Sequence, residues 1–160
     1  MLTHTQATDK PTAEDYLAIE KEHERLSKFL DDFLNVCTCR SLEKSIDCTQ
    51  CENEQEASCQ GRLSSFLFNA IEITSAHFDH EEKILLSKPH VTKDFTHFRL
   101  HRQAHEEFLQ KLHALVEEHF SQKNLESTAE VYRQLHKKLS DMFLEHDQLF
   151  DSPFLQSMRP

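Results

Sequence analysis

Glycine and proline are scarce in this chain: one glycine and four prolines occur in 160 residues. An all-β fold needs many tight turns, and those turns depend largely on these residue types. Long helices with few connections fit the composition better. At this length we expect a single domain, residues 1–160, that is large enough to bury its own core.

Apolar residues recur at helical spacing in four segments, which predicts four amphipathic helices. The first follows "KPTAED", where Thr12 and Asp15 form a capping signal, and the second begins after Gly61. The third begins near Thr92. The fourth opens with the capping box "STAE" and is stopped by Pro153.

Four such helices, mostly with short connections, predict an all-α fold. The default arrangement is an antiparallel up-down four-helix bundle over about residues 12–152. One connection is long, because residues 37–61 separate the first two predicted helices. Unstructured loops of this length are uncommon in compact domains, so we expect this insert to have a role of its own.

The long connection contains all five cysteines of the chain: Cys37, Cys39, Cys48, Cys51 and Cys59. Their spacing resembles a zinc knuckle, in which four thiolates bind one zinc ion, so a second metal site is one interpretation. A reversible dithiol switch is another interpretation, and cytosolic thiols without a role are a third. The spacing leaves all three open.

Histidine is common in this chain, with 12 residues, and five of them occupy positions within the predicted helical stripes. The five are His23, His77, His101, His105 and His146. Glu81 lies one turn after His77, so both side chains project from one helix face. His101 and His105 have the same i, i+4 spacing, which allows two imidazoles on one helix to bind one metal ion.

A single histidine on an apolar stripe is usually a core residue satisfied by a hydrogen bond. Five histidines and a carboxylate together would leave many buried polar groups in need of partners. A metal centre inside the bundle supplies partners for all of them at once. The stripes therefore predict a metal site.

Imidazole and carboxylate ligands suit iron, zinc, copper or nickel. More than four ligands exceed a tetrahedral zinc site and indicate two metal ions bridged by carboxylates. The zinc-protease motif HExxH is not completed, because "HEEKI" and "HEEFL" lack its second histidine. The ferritin-like di-iron pattern needs two Glu-x-x-His motifs, and only Glu20 and His23 supply this spacing on a core stripe.

The order of these residues resembles bacterial hemerythrin. The matching segments are "EKEHERL" with His23, "HFDHEE" with His77 and Glu81, "HRQAHEEF" with His101 and His105, and "HDQLFD" with His146 and Asp151. The resemblance extends from about Tyr16 to Asp151, and it implies a non-heme di-iron centre inside a four-helix bundle.

The resemblance also implies a role for each residue. The ligands of one iron would be His101, His105 and His146, those of the other would be His23 and His77, and the bridges would be Glu81, Asp151 and an oxo or hydroxo group. The iron with only two histidines keeps an open position, where O2 would bind. His80 and Glu82 lie off the stripe, so we expect them at the surface or around the ligands.

His97 offers an alternative ligand, because "HFRLH" pairs it with His101 at the same spacing. The connection from Glu81 to this region is also longer than is usual in the family, so His97 could be an added ligand. Helical periodicity favours His101 with His105, since apolar residues share their stripe.

Charge and hydropathy exclude two classes of partner. The net charge is −10, from 28 acidic and 18 basic residues without a basic block, which argues against nucleic acid and anionic membranes. No apolar run approaches transmembrane length, and the first residues lack the apolar stretch of a signal peptide. We expect a cytoplasmic protein.

These features predict a domain that binds O2 rather than an enzyme. The cysteine-bearing loop favours an oxygen or redox sensory domain, because simple O2 carriage does not need it. Similar bacterial domains are often covalently attached to a signalling output such as a diguanylate cyclase. A stand-alone O2 storage or delivery protein is one alternative, and a di-iron enzyme that oxidises substrates or handles peroxide or nitric oxide is another.

Overall fold

The structure is a computed structural model that describes residues 12–34, 51–88, 91–121 and 128–153. Its helices are α1, Ala13–Leu34; α2, Asn53–Leu86; α3, Thr96–Ser121; and α4, Thr128–His146, which continues into a π-helical turn, Asp147–Asp151. All regular secondary structure in these four stretches is helical, so the predicted all-α class is confirmed. None of the helices in them is long and apolar enough to cross a membrane.

The helices pack around three apolar clusters. The first contains Phe33, Cys59, Leu63, Leu67, Val116, Ala129, Val131, Tyr132 and Leu135. The second contains Ala70, Phe78, Phe108, Leu112 and Leu139, and the third contains Ile19 and Ile84. Along α2, Glu81 lies between Phe78 of the second cluster and Ile84 of the third, so the predicted ligands interrupt the core near one end of the helices.

The start of α1 is fixed by a reciprocal capping box. The backbone N–H of Thr12 donates to Asp15 Oδ2 at 2.7 Å, and the backbone N–H of Asp15 donates to Thr12 Oγ1 at 3.2 Å. Lys88, just beyond the end of α2, donates to the same Asp15 oxygen at 2.8 Å. Burial raises the pKa of Asp15, but hydrogen bonds from Lys88 and Thr12 have the larger combined effect and bring the pKa below its ordinary value. This contact joins the start of α1 to the end of α2.

The second helix begins earlier than the sequence predicted. It starts at Asn53, so Gly61 lies inside α2, and the predicted loop 37–61 does not extend to its last residues. A glycine inside a helix costs only about 1 kcal/mol relative to alanine. Cys59 and Leu63 are both buried at i, i+4 spacing, and their packing extends the apolar stripe across Gly61.

Removal of the cap oxygen in Thr12→Ala is expected to lower the free energy of unfolding by about 1 kcal/mol, because the N–H of Asp15 then loses its acceptor. Urea unfolding followed by circular dichroism measures this. Thr12→Ser keeps the oxygen and should unfold like the wild type. An equal loss in both variants would contradict the role assigned to this hydroxyl.

Candidate metal centre

The structure brings the seven predicted ligand residues together from all four helices and the π-helical turn. Their ligand atoms form two groups, each with all members within 4.8 Å of one another: Glu81, His101, His105, His146 and Asp151 in one, and His23, His77, Glu81 and Asp151 in the other. Glu81 and Asp151 belong to both groups. The cluster could therefore hold a metal ion, and its two carboxylates join a three-histidine group to a two-histidine group.

The two oxygens of Glu81 face different groups. Oε2 lies 3.2 Å from His105 Nε2 and 3.7 Å from His101 Nε2, in the three-histidine group. Oε1 lies 3.5 Å from His77 Nε2 and 3.9 Å from His23 Nε2, in the two-histidine group. The carboxylate of Glu81 is thus oriented as a bridge between the groups.

The two oxygens of Asp151 also face different groups. Oδ1 lies 3.1 Å from His146 Nε2 and 3.2 Å from His101 Nε2, whereas Oδ2 lies 3.3 Å from His23 Nε2. Both carboxylates are buried, and the Glu81 side chain is 0% exposed. Two acids in this environment need compensating positive charge.

Several ligand atoms have no hydrogen-bond partner within the part of the chain that the structure describes. They are the Nε2 atoms of His23, His77, His105 and His146, together with both oxygens of Glu81. A buried polar atom without a partner typically costs about 1–3 kcal/mol. Nitrogen and oxygen atoms that share one buried space and lack partners fit a metal site, because a cation would bind all of them at once.

The two acids have opposite protonation tendencies when no cation is present. Burial and the negative charge of Asp151 raise the pKa of Glu81 well above its ordinary value. Burial also raises the pKa of Asp151, but the close imidazoles of His101, His146 and His23 outweigh it and lower that pKa far below its ordinary range. Bound cations would favour the ionised form of both acids, because a metal ion is usually the largest local charge.

Burial also keeps two of the histidines neutral. It lowers the pKa of His105 to about 2, and the electrostatic effect of the neighbouring imidazoles of His101 and His146 acts in the same direction. The pKa of His77 is lowered chiefly by burial, although a hydrogen bond to Glu22 opposes this change. Neutral imidazole is the form that binds metal ions, so the site holds these residues in the competent state.

The π-helical turn brings Asp151 into the cluster. In an α-helix, a residue five positions after His146 would lie about 140° around the axis from it. Here the backbone N–H of Ser152 donates to the carbonyl of Asp147, an i→i+5 bond that reduces the rotation per residue. Asp151 is therefore buried. Leu149, which follows His146 at the i, i+3 spacing of a helical stripe, is 60% exposed.

Two further carboxylates contact the ligand histidines. Glu22 Oε2 lies 2.8 Å from His77 Nδ1, and Glu82 Oε1 lies 3.0 Å from His105 Nδ1. The other oxygen of Glu22 lies 2.5 Å from Nδ1 of the half-exposed His80. Glu82 and His80 were expected at the surface or around the ligands, and they lie around them. Glu22 was missed, because it is off the stripe and periodicity gives no signal for it.

The structure does not bring the alternative ligand His97 into either group. It lies in the first turn of α3 and is exposed, with its ring 5.7 Å from that of Phe95. His101 and His105 are both buried on the face of α3 that also carries Phe98 and belong to the three-histidine group. The structure thus brings together the pair that the apolar stripe of α3 favoured.

The cysteines have separate surroundings. Cys37, Cys39 and Cys48 lie outside the described residues, and Cys51 precedes α2. Cys59, predicted in the loop, instead lies within α2 and is buried in the first apolar cluster. The hydroxyl of Tyr132 donates to the Cys59 carbonyl at 2.6 Å, and Arg62 Nη2 lies 3.4 Å from Cys59 Sγ.

A cavity of about 320 Å³ adjoins the two-histidine group. It is lined by His23 and His77 and by apolar side chains of three helices: Leu26, Leu30, Phe78, Phe143 and Leu144. The polar side chains of Ser27, Ser140, His146, Asp147 and Asp151 complete the lining. A small ligand could therefore reach this side of the cluster through mostly apolar surroundings.

Comparison of the chain with protein-family models, curated proteins and solved structures found no match. The functional conclusion therefore depends on the geometry of the chain's own residues.

The contribution of His105 to the stability of the metal-free protein is expected to fall as the pH falls from 7 to 5. Below the ordinary histidine pKa of 6.5, the unfolded chain binds a proton at His105, whereas the folded chain, with a pKa of about 2, does not. This contribution is therefore present above pH 6.5 and is lost below it, by up to about 1.4 kcal/mol per pH unit.

Urea unfolding at several pH values measures this effect. His105→Leu should remove this contribution to the pH dependence, whereas His113→Leu, at an exposed position of the same helix, should leave it in place. The same slope in wild type and His105→Leu would contradict the assignment.

Proposed function

We propose that this chain is a non-heme di-iron protein that binds O2 and resembles bacterial hemerythrin. His101, His105 and His146 would hold one iron, His23 and His77 would hold the other, and Glu81 and Asp151 would bridge them. The observation that carries the proposal is the orientation of the carboxylate oxygens of Glu81 and Asp151. Each of the two buried carboxylates directs one oxygen toward each histidine group.

The proposed bundle has helices of alternating direction. The first apolar cluster combines Phe33 near the end of α1 with Leu63 near the start of α2, and Val116 near the end of α3 with Val131 near the start of α4. The ligand cluster combines the opposite parts of the helices, such as the first half of α1 and the end of α4. This arrangement supports an antiparallel up-down bundle with the metal centre toward one end.

The donor set favours two ions over one. Five side chains converge on the first position and four on the second, with two shared, which is more than one tetrahedral ion can use. The donors are imidazole and carboxylate, which suit iron. The second position has one histidine fewer, and both of its histidines line the cavity, together with His146 of the first position.

Two iron ions, when bound and bridged, would supply reversible binding of O2. The residues of this chain would determine what reaches them. Phe78 stacks on His105 with ring centroids 3.9 Å apart, and Phe108 and Phe150 cover other ligand rings. These aromatic side chains keep water away from the cluster, and a dry site limits side reactions of a bound ligand.

A sensory role is the biological use that we favour. The cysteine-bearing segment is an addition that O2 carriage does not require, and Cys51 adjoins the start of α2, which carries His77 and Glu81. In that role the chain would regulate a covalently attached signalling output. Storage or delivery of O2 would need the same centre without an output.

Single substitutions test the metal centre. His77→Ala and Glu81→Ala are expected to lose iron, with the larger loss for Glu81→Ala because it removes a bridge to both positions. Iron per chain is measured after anaerobic loading and desalting. His97→Ala is the matched control, because it removes an exposed histidine near the cluster, and it should keep the wild-type iron content. Full iron retention in both ligand variants would contradict the proposal.

A further inference from the structure

Glu22 lies next to a proposed ligand in the sequence but contacts a different one in space. It precedes His23 on α1, yet its Oε2 is 2.8 Å from His77 Nδ1 on α2. An ionised carboxylate can only accept a hydrogen bond, so the proton of neutral His77 is on Nδ1. The Nε2 atom then has a lone pair, and it faces Glu81 at 3.5 Å inside the cluster.

Glu82 repeats this arrangement one helix further along. It follows Glu81 on α2, and its Oε1 is 3.0 Å from His105 Nδ1 on α3. His105 Nε2 is buried and lies 3.2 Å from Glu81 Oε2. His77 belongs to the two-histidine group and His105 to the three-histidine group, so each group contains one histidine whose outer nitrogen contacts a carboxylate.

Asp147 shows the same sequence relationship with a weaker contact. It follows His146, and its Oδ1 is 3.9 Å from His23 Nδ1. This distance is too long for a hydrogen bond, so Asp147 can attract a charged imidazole but does not fix its tautomer. It is therefore a useful comparison for the two closer carboxylates.

We infer that Glu22 and Glu82 are positioning residues for the proposed metal centre, each of which fixes the tautomer and ring orientation of a ligand histidine on the neighbouring helix. This inference rests on the proposed function. Carboxylates that hold the outer nitrogen of a ligand histidine typically improve metal affinity about 10- to 100-fold.

The surroundings of Glu22 support a fixed orientation. Its two oxygens contact His77 Nδ1 and His80 Nδ1, which are three residues apart on α2. The two imidazoles therefore hold the carboxylate of Glu22 across the α1–α2 interface. Glu82 is likewise only partly exposed, so neither carboxylate is a freely solvated surface acid.

The tautomers can be measured in the metal-free protein by NMR after ¹⁵N labelling of histidine. We expect the Nδ1–H tautomer for His77 and His105 in the wild type. Of these two ligand histidines, Glu22→Ala should change only His77 and Glu82→Ala only His105, because each variant removes the acceptor of one of them. The glutamine variants keep a carbonyl acceptor and should retain the Nδ1–H tautomer, which also separates the effect from misfolding.

Metal affinity gives the second measurement, with Co²⁺ as the probe. Glu22→Ala and Glu82→Ala should bind about 10- to 100-fold more weakly than the wild type, with the glutamine variants between. Glu24→Ala and Glu145→Ala are matched controls, because these exposed acids also adjoin His23 and His146 in the sequence. Both controls should bind like the wild type.

The outcomes distinguish this inference from the proposed function. Wild-type Co²⁺ binding with unchanged affinity and tautomers in Glu22→Ala and Glu82→Ala would overturn the positioning role and leave the metal centre intact. A wild type that binds no Co²⁺ would overturn the metal centre and, with it, this inference. Weaker binding and altered tautomers confined to these two alanine variants would support both.

Discussion

Two buried acids, Glu81 and Asp151, connect the histidines of this protein, and the arrangement around them constrains the rest of the structure. Each acid contacts both histidine groups, so α1, α2, α3 and the end of α4 must all approach the same point. Without a bound cation the two acids differ in their tendency to ionise, because the pKa of Glu81 is raised and that of Asp151 is lowered. The buried apolar clusters on both sides stabilise the fold, and this offsets the cost of burying the polar cluster.

The sequence predicted which side chains come together where α-helical periodicity governs side-chain direction. His77 with Glu81, and His101 with His105, lie one turn apart on buried faces, and the structure brings them together. Asp151 came from the resemblance to hemerythrin rather than from periodicity, because a regular α-helix would turn it away from His146. The π-helical turn explains both its burial and the exposure of Leu149.

Other features could not be predicted from the sequence, for different physical reasons. Gly61 was read as a helix start, but packing of Cys59 and Leu63 outweighs the small cost of a helical glycine. Glu22 has no place on the α1 stripe, and its role depends on the position of α2 beside α1. Tertiary contacts of this kind are not encoded in the period of a single helix.

An absorption spectrum of the anaerobically reduced, iron-loaded protein, recorded before and after O2 is added, tests the central claim most directly. We predict an iron-dependent band that appears with O2 and fades when O2 is removed. The absence of any iron-dependent band, or irreversible passage to a ferric spectrum at the first exposure to O2, would contradict reversible O2 binding at a di-iron centre.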